Sequence, residues 1–216
     1  MTPSESLDKK AQAEWHYWHG VKEREGTLAN GWYEYFYTTH FSLDKDFYRG
    51  KNLLDIGCGP RGSLEWATMA ADRVGLDPLA DMYMGLGAER QAMRYVSSPS
   101  ERIPFPDEYF DVVCSFNSLD HVDDLDKTVR EIIRVVRRGG LFLLLTDVNH
   151  RPTVCEPVAY SWDIVGQFTP ALRLLEEGRF EKRATGIYQS LKESIPYDSA
   201  DPKQRYGILS AKFTKP

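Results

Sequence analysis

Short apolar runs alternate with stretches in which apolar residues recur every three or four positions. Residues 52–56, 73–77, 95–96, 110–116 and 141–146 are the short runs. Each is too short for a free-standing helix, and near-continuous apolarity is the pattern of a strand covered on both faces. Between them, 79–86 predicts a short helix ended by Gly85 and Gly87. Val129, Ile132, Ile133 and Val136 share one face of a helix that starts at Asp124 or Asp126 and stops at Gly139-Gly140. Residues 62–71 are also read as a helix. Ahead of the first strand, Leu7, Ala11, Trp15, Trp18 and Lys22 step through a helix over 6–25 that Gly26 closes. Asn30-Gly31 signals a turn, and the aromatic run 32–37, ambiguous in period, is taken as helix. Past Thr146, Thr169-Pro170 is read as the start of a helix to Glu177. Residues 180–188 and 206–213 alternate as strands.

Strands alternating with helices predict an α/β fold, a doubly wound and mostly parallel sheet with helices on both faces. Residues 1–50 form an N-terminal helical, aromatic segment, read as a lid over a ligand or as a face packed on the sheet. Residues 51–216 form the core, and the whole is one domain without repeats or linkers.

The chemistry concentrates where the first strand ends. Gly57, Gly59 and Gly62 have G-x-G-x-x-G spacing directly after the apolar run. Such a turn lets backbone approach a ligand where a Cβ would clash. Twenty residues past Gly57, Asp77 ends the second strand, the place at which doubly wound folds grip a ribose diol. A carboxylate accepts both hydroxyl hydrogen bonds. The pattern predicts an adenosine-type ligand.

Composition narrows the partners. The chain has 216 residues, 42% hydrophobic and 27% charged, with net charge −5, an ordinary globular mix for one full core. Its basic residues are scattered, so nucleic acid is not an expected partner. No run approaches a membrane span, and the first residues carry no basic-then-apolar signal pattern. Cys58, Cys114 and Cys155 are widely spaced and odd in number, which suggests small buried fillers in a reducing compartment. The expectation is a cytoplasmic protein with no membrane contact, a small-molecule substrate, and room for a homodimer.

These pieces together resemble the class I S-adenosylmethionine-dependent methyltransferases. The resemblance rests on Leu54-Asp55-Ile56-Gly57-Cys58-Gly59-Pro60, Gly75-Leu76-Asp77, Ser100-Glu101-Arg102-Ile103-Pro104-Phe105, Phe110-Asp111-Val112-Val113 and Arg134-Val135 through Gly139-Gly140-Leu141. It implies seven strands, the last hairpin bringing one antiparallel strand, and S-adenosyl-L-methionine as cofactor. It further implies that the backbone at Gly57 and Gly59, with Asp55 in the same motif, holds the methionine part. Asp77 takes the ribose, Pro78 and Leu79 lie against adenine, and Ser100 and Glu101 border its edge. Asn117 and Ser118 border the methionine end. One departure is Pro99, where the family often has an Asp for the adenine amino group. That contact then falls to Ser98, Ser100, Glu101 or backbone.

Methyl transfer from a sulfonium needs alignment above all, and a hydroxyl acceptor needs a base. The strand-end loops offer His121, His150 and Asp147 as catalytic candidates, with Asp120 and Asn149 beside them. Asp147, Asn149, His150 and Glu156 have loose spacing for a cation, and no metal is expected. The reading is a methyltransferase for a polar small molecule, most simply at oxygen. Alternatives are a nitrogen or carbon acceptor, and a cofactor-binding module without turnover. A nicotinamide oxidoreductase is disfavoured by the Pro104-Phe105 segment and the terminal strands.

Overall fold

The structure, a computed structural model, describes residues 8–203 and 205–216. Residues 6 and 7 of the predicted first helix lie outside the described residues. One seven-stranded sheet organises the chain. It comprises β1 (Asn52–Ile56), β2 (Asp72–Asp77), β3 (Arg94–Ser97), β4 (Phe110–Phe116), β5 (Val136–Val148), β6 (Arg173–Glu181) and β7 (Gly207–Thr214). The spatial order is β3-β2-β1-β4-β5-β7-β6, parallel except that β7 runs antiparallel to both β5 and β6. The expected doubly wound sheet with an antiparallel C-terminal strand is what forms.

Successive side chains of a strand point to opposite faces, and each face here has its own core. Leu54, Val113, Phe142 and Phe213 pack under α4 (Leu125–Val135) and α5 (Val165–Phe168). Leu53, Val112 and Leu143 pack under α2 (Glu34–Tyr37) and α6 (Ile187–Glu193). Burial on both sides explains why β4 reads as an unbroken apolar run, buried at every position. α1 (Lys9–Glu25) is capped by Asp8, whose side chain accepts from Ala11 N, and it stops at Gly26 with φ 75°. Val21 is its only fully buried residue, packed against Leu79 and Tyr83, the latter in α3 (Ala80–Met84). Among the described residues, no helix is long and apolar enough to cross a membrane.

Four expected elements differ. No helix follows Gly62; 63–70 makes successive turns, with Glu65 N bonded to Gly62 O and Ala67 N to Leu64 O. The stretch between β1 and β2 must hold the glycine turn and return the chain to the start of β2, which leaves too little chain for a helix. α4 ends at Val135, before Gly139-Gly140, and residues 137–140 bulge out of the β4–β5 ladder. Residues 173–181 form an edge strand instead of a helix, because β7 offers a full antiparallel partner; tertiary pairing overrides the local Thr-Pro signal. The predicted strand over 180–188 ends at Glu181, and α6 buries Ile187, Ser190 and Leu191 at helical spacing.

The order in which parallel strands are added reverses at β1. β2 and β3 extend the sheet one way, β4 the other. The loops after β1 and β4 therefore diverge, leaving the crevice in which open α/β sheets bind ligands.

Candidate active site

That crevice is a cavity of about 630 Å³, within the size range of small-molecule sites. Its floor is the turn after β1, where Gly57, Gly59 and Gly62 all have positive φ (67°, 56° and 67°), a conformation glycine adopts without cost. A Cβ on Gly57 would come within 2.3 Å of Ser118 Cβ. The glycine is thus required first by contact with the loop after β4, before any ligand is considered. Ser118 Oγ donates to the Ile56 carbonyl at 2.7 Å and ties that loop to β1. A Cβ on Gly59 would meet Trp18 of α1 at 3.0 Å.

Two carboxylates flank the turn. Asp55 is 2% exposed. Its Oδ2 accepts from Tyr37 OH at 2.9 Å and from Ser63 Oγ, while Oδ1 is buried without a partner among the described residues. Burial pushes Asp55 up to about 7, against the hydrogen bonds from Ser63 and Tyr37. Asp77 accepts from Leu79 N at 2.9 Å and from Gly59 N at 3.2 Å. Burial pushes it up to about 6, against those same two bonds. A carboxylate has about four lone-pair positions, so Asp77 retains capacity for a diol while bracing the glycine turn.

At the far edge, Ser98, Pro99, Ser100 and Glu101 face the cavity. The side chains are committed within the fold. Ser98 Oγ donates to Arg102 O, Ser100 Oγ shares a 2.9 Å bond with Thr128 Oγ1, and Glu101 Oε1 accepts from Asp123 N and Asp124 N. The β4 side is aromatic: Trp32, Tyr33, Tyr37, Phe116 and Tyr188 line it. Tyr37 and Phe116 ring centroids are 4.5 Å apart, and those of Tyr33 and Tyr188 5.1 Å. α1 closes the mouth through ion pairs, Lys10 with Asp123 at 2.5 Å and Glu25 with Arg61 at 2.6 Å.

All of the proposed cofactor-binding positions lie on this cavity: Asp55, Gly57, Gly59, Asp77, Pro78, Leu79, Ser100, Glu101, Asn117 and Ser118. His121 lines it too, its Nδ1 3.7 Å from Glu14 Oε2. The other two catalytic candidates are elsewhere. Asp147 is buried in an ion pair with Lys182, and His150 stands behind the wall with Nε2 3.6 Å from Asp120 Oδ2. Neither lines the cavity, because β5 runs on to Val148 and carries Asp147 inside its ladder with β7. Glu14, Arg61, Ser63 and Tyr188 were not foreseen. Glu14 carried a signal, one helical turn from Trp18 and accepting from its indole N–H at 2.9 Å. Tyr188 carried none, being far away in sequence.

The cavity is acidic. Glu14, Asp55, Asp77, Glu101, Asp123 and Glu156 line it, while its cations, Lys10 and Arg61, are each already paired. A pyrophosphate would meet repulsion from these carboxylates, and the glycine turn leads into no helix that could hold it. A ligand bearing an ammonium and a sulfonium fits, with the unpartnered Asp55 Oδ1 as a ready acceptor.

The relationships of the chain agree with that fit. Residues 54–144 match the family described as "Methyltransferase domain". The chain is 32% identical over 168 residues to the ubiquinone/menaquinone biosynthesis C-methyltransferase UbiE of Vibrio campbellii, covering 72% of this chain and 61% of that one. It is 33% identical over 99 residues to the malonyl-[acyl-carrier protein] O-methyltransferase of Enterobacter lignolyticus, covering 45% and 39%. Across such relatives the chain spans about half their length (51% of another UbiE). In fold it resembles a chain from the Haloferax volcanii complex between the Trm112 methyltransferase activator and a methyltransferase. The TM-score there is 0.66, with 17% identity over 98% of this chain and 100% of that one. Residues 54–144 thus match a methyltransferase domain, and the fold is a Rossmann-like methyltransferase fold.

Proposed function

We propose that the protein binds S-adenosylmethionine in this cavity and transfers its methyl group to a small-molecule acceptor. The observation that carries the reading is the pair of buried carboxylates at the ends of β1 and β2, one with an unpartnered oxygen, separated by a glycine turn. Asp55 takes the ammonium of the methionine part and Asp77 the ribose diol. Because the side chains of Ser98, Ser100 and Glu101 are already bonded, the adenine edge meets backbone there. The cofactor, when bound, supplies a sulfonium methyl activated by its own positive charge. The aromatic wall excludes water and fixes the acceptor for in-line approach. His121 is the base that takes a proton from the acceptor, held in place by Glu14.

The acceptor carries a flat apolar portion, in keeping with Trp32, Tyr33, Tyr37, Phe116 and Tyr188. This shifts the polar-substrate expectation, which rested on strand-end residues of which Asp120, Asp147, Asn149 and His150 do not line the cavity. Of these two relatives, the one covering 72% of this chain is named a C-methyltransferase and the other an O-methyltransferase, so oxygen gains no specific support. We favour carbon beside an ionised hydroxyl, for which the same base serves. Incubation with radiolabelled donor and panels of phenolic, enolic and carboxylic acceptors tests this. Label appearing on an aromatic or enolic acceptor, at carbon by NMR of the product, is expected. Transfer only to polar aliphatic acceptors overturns the acceptor assignment. Within the N-terminal segment α1 serves as the lid, while α2 packs on the sheet, and the chain works as a cytoplasmic enzyme; the homodimer has no structural support and is not proposed.

A further inference from the structure

Behind the acceptor edge of the cavity, three side chains from separate loops converge. Asp120 lies in the short helical turn after β4, His150 two residues past β5, and Glu156 in the loop that follows. Asp120 is 1% exposed and His150 7%. One ligand-type atom from each lies within 4.8 Å of the others. Neither Asp120 Oδ1 nor His150 Nε2 has a hydrogen-bond partner among the described residues. Leaving buried polar atoms unpaired is costly.

The imidazole is oriented for ligation. Its Nδ1 is 3.1 Å from the Arg151 carbonyl oxygen. A carbonyl only accepts, so Nδ1 carries the proton, and in neutral imidazole Nε2 presents its lone pair. That lone pair lies 3.6 Å from Asp120 Oδ2, with Glu156 in the same cluster. Electron-pair donors gathered this closely repel unless a proton or a metal cation sits among them. Metal-bound histidines are held in the same way, with the second ring N–H on a backbone carbonyl or carboxylate. The Tyr160 and Tyr206 rings stand edge-on to His150, centroids at 6.3 and 6.4 Å, and fix its plane.

We propose that Asp120, His150 and Glu156 bind one divalent cation. One imidazole with two carboxylates suits Mn²⁺, Fe²⁺ or Zn²⁺ better than Mg²⁺ or Ca²⁺, which prefer all-oxygen sets. Two donors about 2.1 Å from an ion stand roughly 3.0–3.4 Å apart; the 3.6 Å between His150 Nε2 and Asp120 Oδ2 is close to that. Glu156 is only partly buried, held through Thr153, and free to close the remaining gap. It also lines the cavity, so the ion faces acceptor space with coordination positions left for water or an acceptor oxygen. The sequence spacing had suggested Asp147 and Asn149; Lys182 neutralises the first, and Asp120 takes that place. The ion's effect on an acceptor rests on the methyl-transfer reading, but its binding does not.

The test uses the full chain, stripped with a chelator, dialysed, and titrated with MnCl₂ by calorimetry and electron paramagnetic resonance. One Mn²⁺ per chain is expected, with a higher unfolding temperature. Glu156→Gln, at a partly exposed position, and His150→Ala are each expected to weaken Mn²⁺ about 10-fold or more. Glu156→Gln decides if His150→Ala fails to fold. No wild-type binding below about 1 mM Mn²⁺, or unchanged binding in a folded Glu156→Gln protein, overturns the proposal. Either result leaves the cofactor site untouched, since its test uses no metal.

Discussion

The two ends of the cavity are built differently. At the donor end, Asp55, Gly57, Asp77 and Ser118 sit on, or within two residues of, strands locked in the β2-β1-β4 ladders. Each is held by a hydrogen bond or contact to another of them or to its strand. At the acceptor end, the wall comes from α1, α2, α6 and the loops after β4 and β5, segments with little sheet pairing. A ladder transmits position over long range, whereas a loop wall depends on side-chain packing. The donor end is therefore fixed in geometry and general in use, and the acceptor end is where a chain of this fold acquires its own substrate.

The largest effect is expected from breaking the donor end at its tightest point. Gly57→Val puts a β-branched residue at φ 67° with its Cβ 2.3 Å from Ser118 Cβ. Strain and overpacking each cost about 1–3 kcal/mol, so a fall in unfolding temperature of many degrees is expected by calorimetry. A variant as stable as wild type shows that the loop after β4 yields and that the donor end is no more rigid than the acceptor end.

Next is the catalytic contrast. His121→Ala is expected to lower kcat roughly 10²-fold while leaving S-adenosylhomocysteine affinity nearly unchanged, because the imidazole lies on the acceptor side. Lys182→Ala, which strips Asp147 of its partner outside the cavity, is expected to affect stability more than kcat. Steady-state kinetics beside calorimetry separate the two, and equal kcat losses erase the distinction drawn between His121 and Asp147.

A pH effect sharpens the donor end. Asp55 titrates near 7 in the folded chain against an ordinary value of 3.8. Between those values the folded state holds a proton that the unfolded state has released. Its contribution to stability is therefore present below about pH 4, is lost as pH rises through about 7, and is flat above. Asp55→Asn is expected to flatten that slope in urea unfolding across pH 4–8. An unchanged slope assigns it to other groups. The smallest effect is expected at the lid, where Lys10→Ala removes an ion pair whose Asp123 partner is 77% exposed. Such pairs contribute about 0–1 kcal/mol, so a change in cofactor release rate within several-fold is expected by stopped flow, and a far larger change gives α1 a leading role in holding the cofactor.

The same division governs what the sequence revealed. β1, β2, β4 and the body of β5 were legible because burial on both faces leaves continuous apolar runs, β7 because its residues alternate, and Asp77 because it ends one of the runs. The helices over 62–71 and 169–177 were misread because local signals there compete with tertiary pairing and a short crossover. His121 and His150 looked alike as strand-end histidines, and only the extension of β5 to Val148 showed that His150 and Asp147 fall behind the wall. Tyr188, and the place of Asp120 beside His150 and Glu156, could not be read from spacing, since long-range packing brings them together.

The central claim is that the acidic crevice at the end of β1 and β2 is built for a cationic adenosine cofactor. Calorimetric titration of the wild type and of Asp77→Asn with S-adenosylhomocysteine, alongside NAD⁺, tests it directly. Saturable binding of S-adenosylhomocysteine by the wild type, weakened about 10-fold or more by the loss of a charge-assisted diol contact, with no NAD⁺ binding, is the result the account predicts. NAD⁺ binding in preference to S-adenosylhomocysteine, or equal affinity in both proteins, would contradict it.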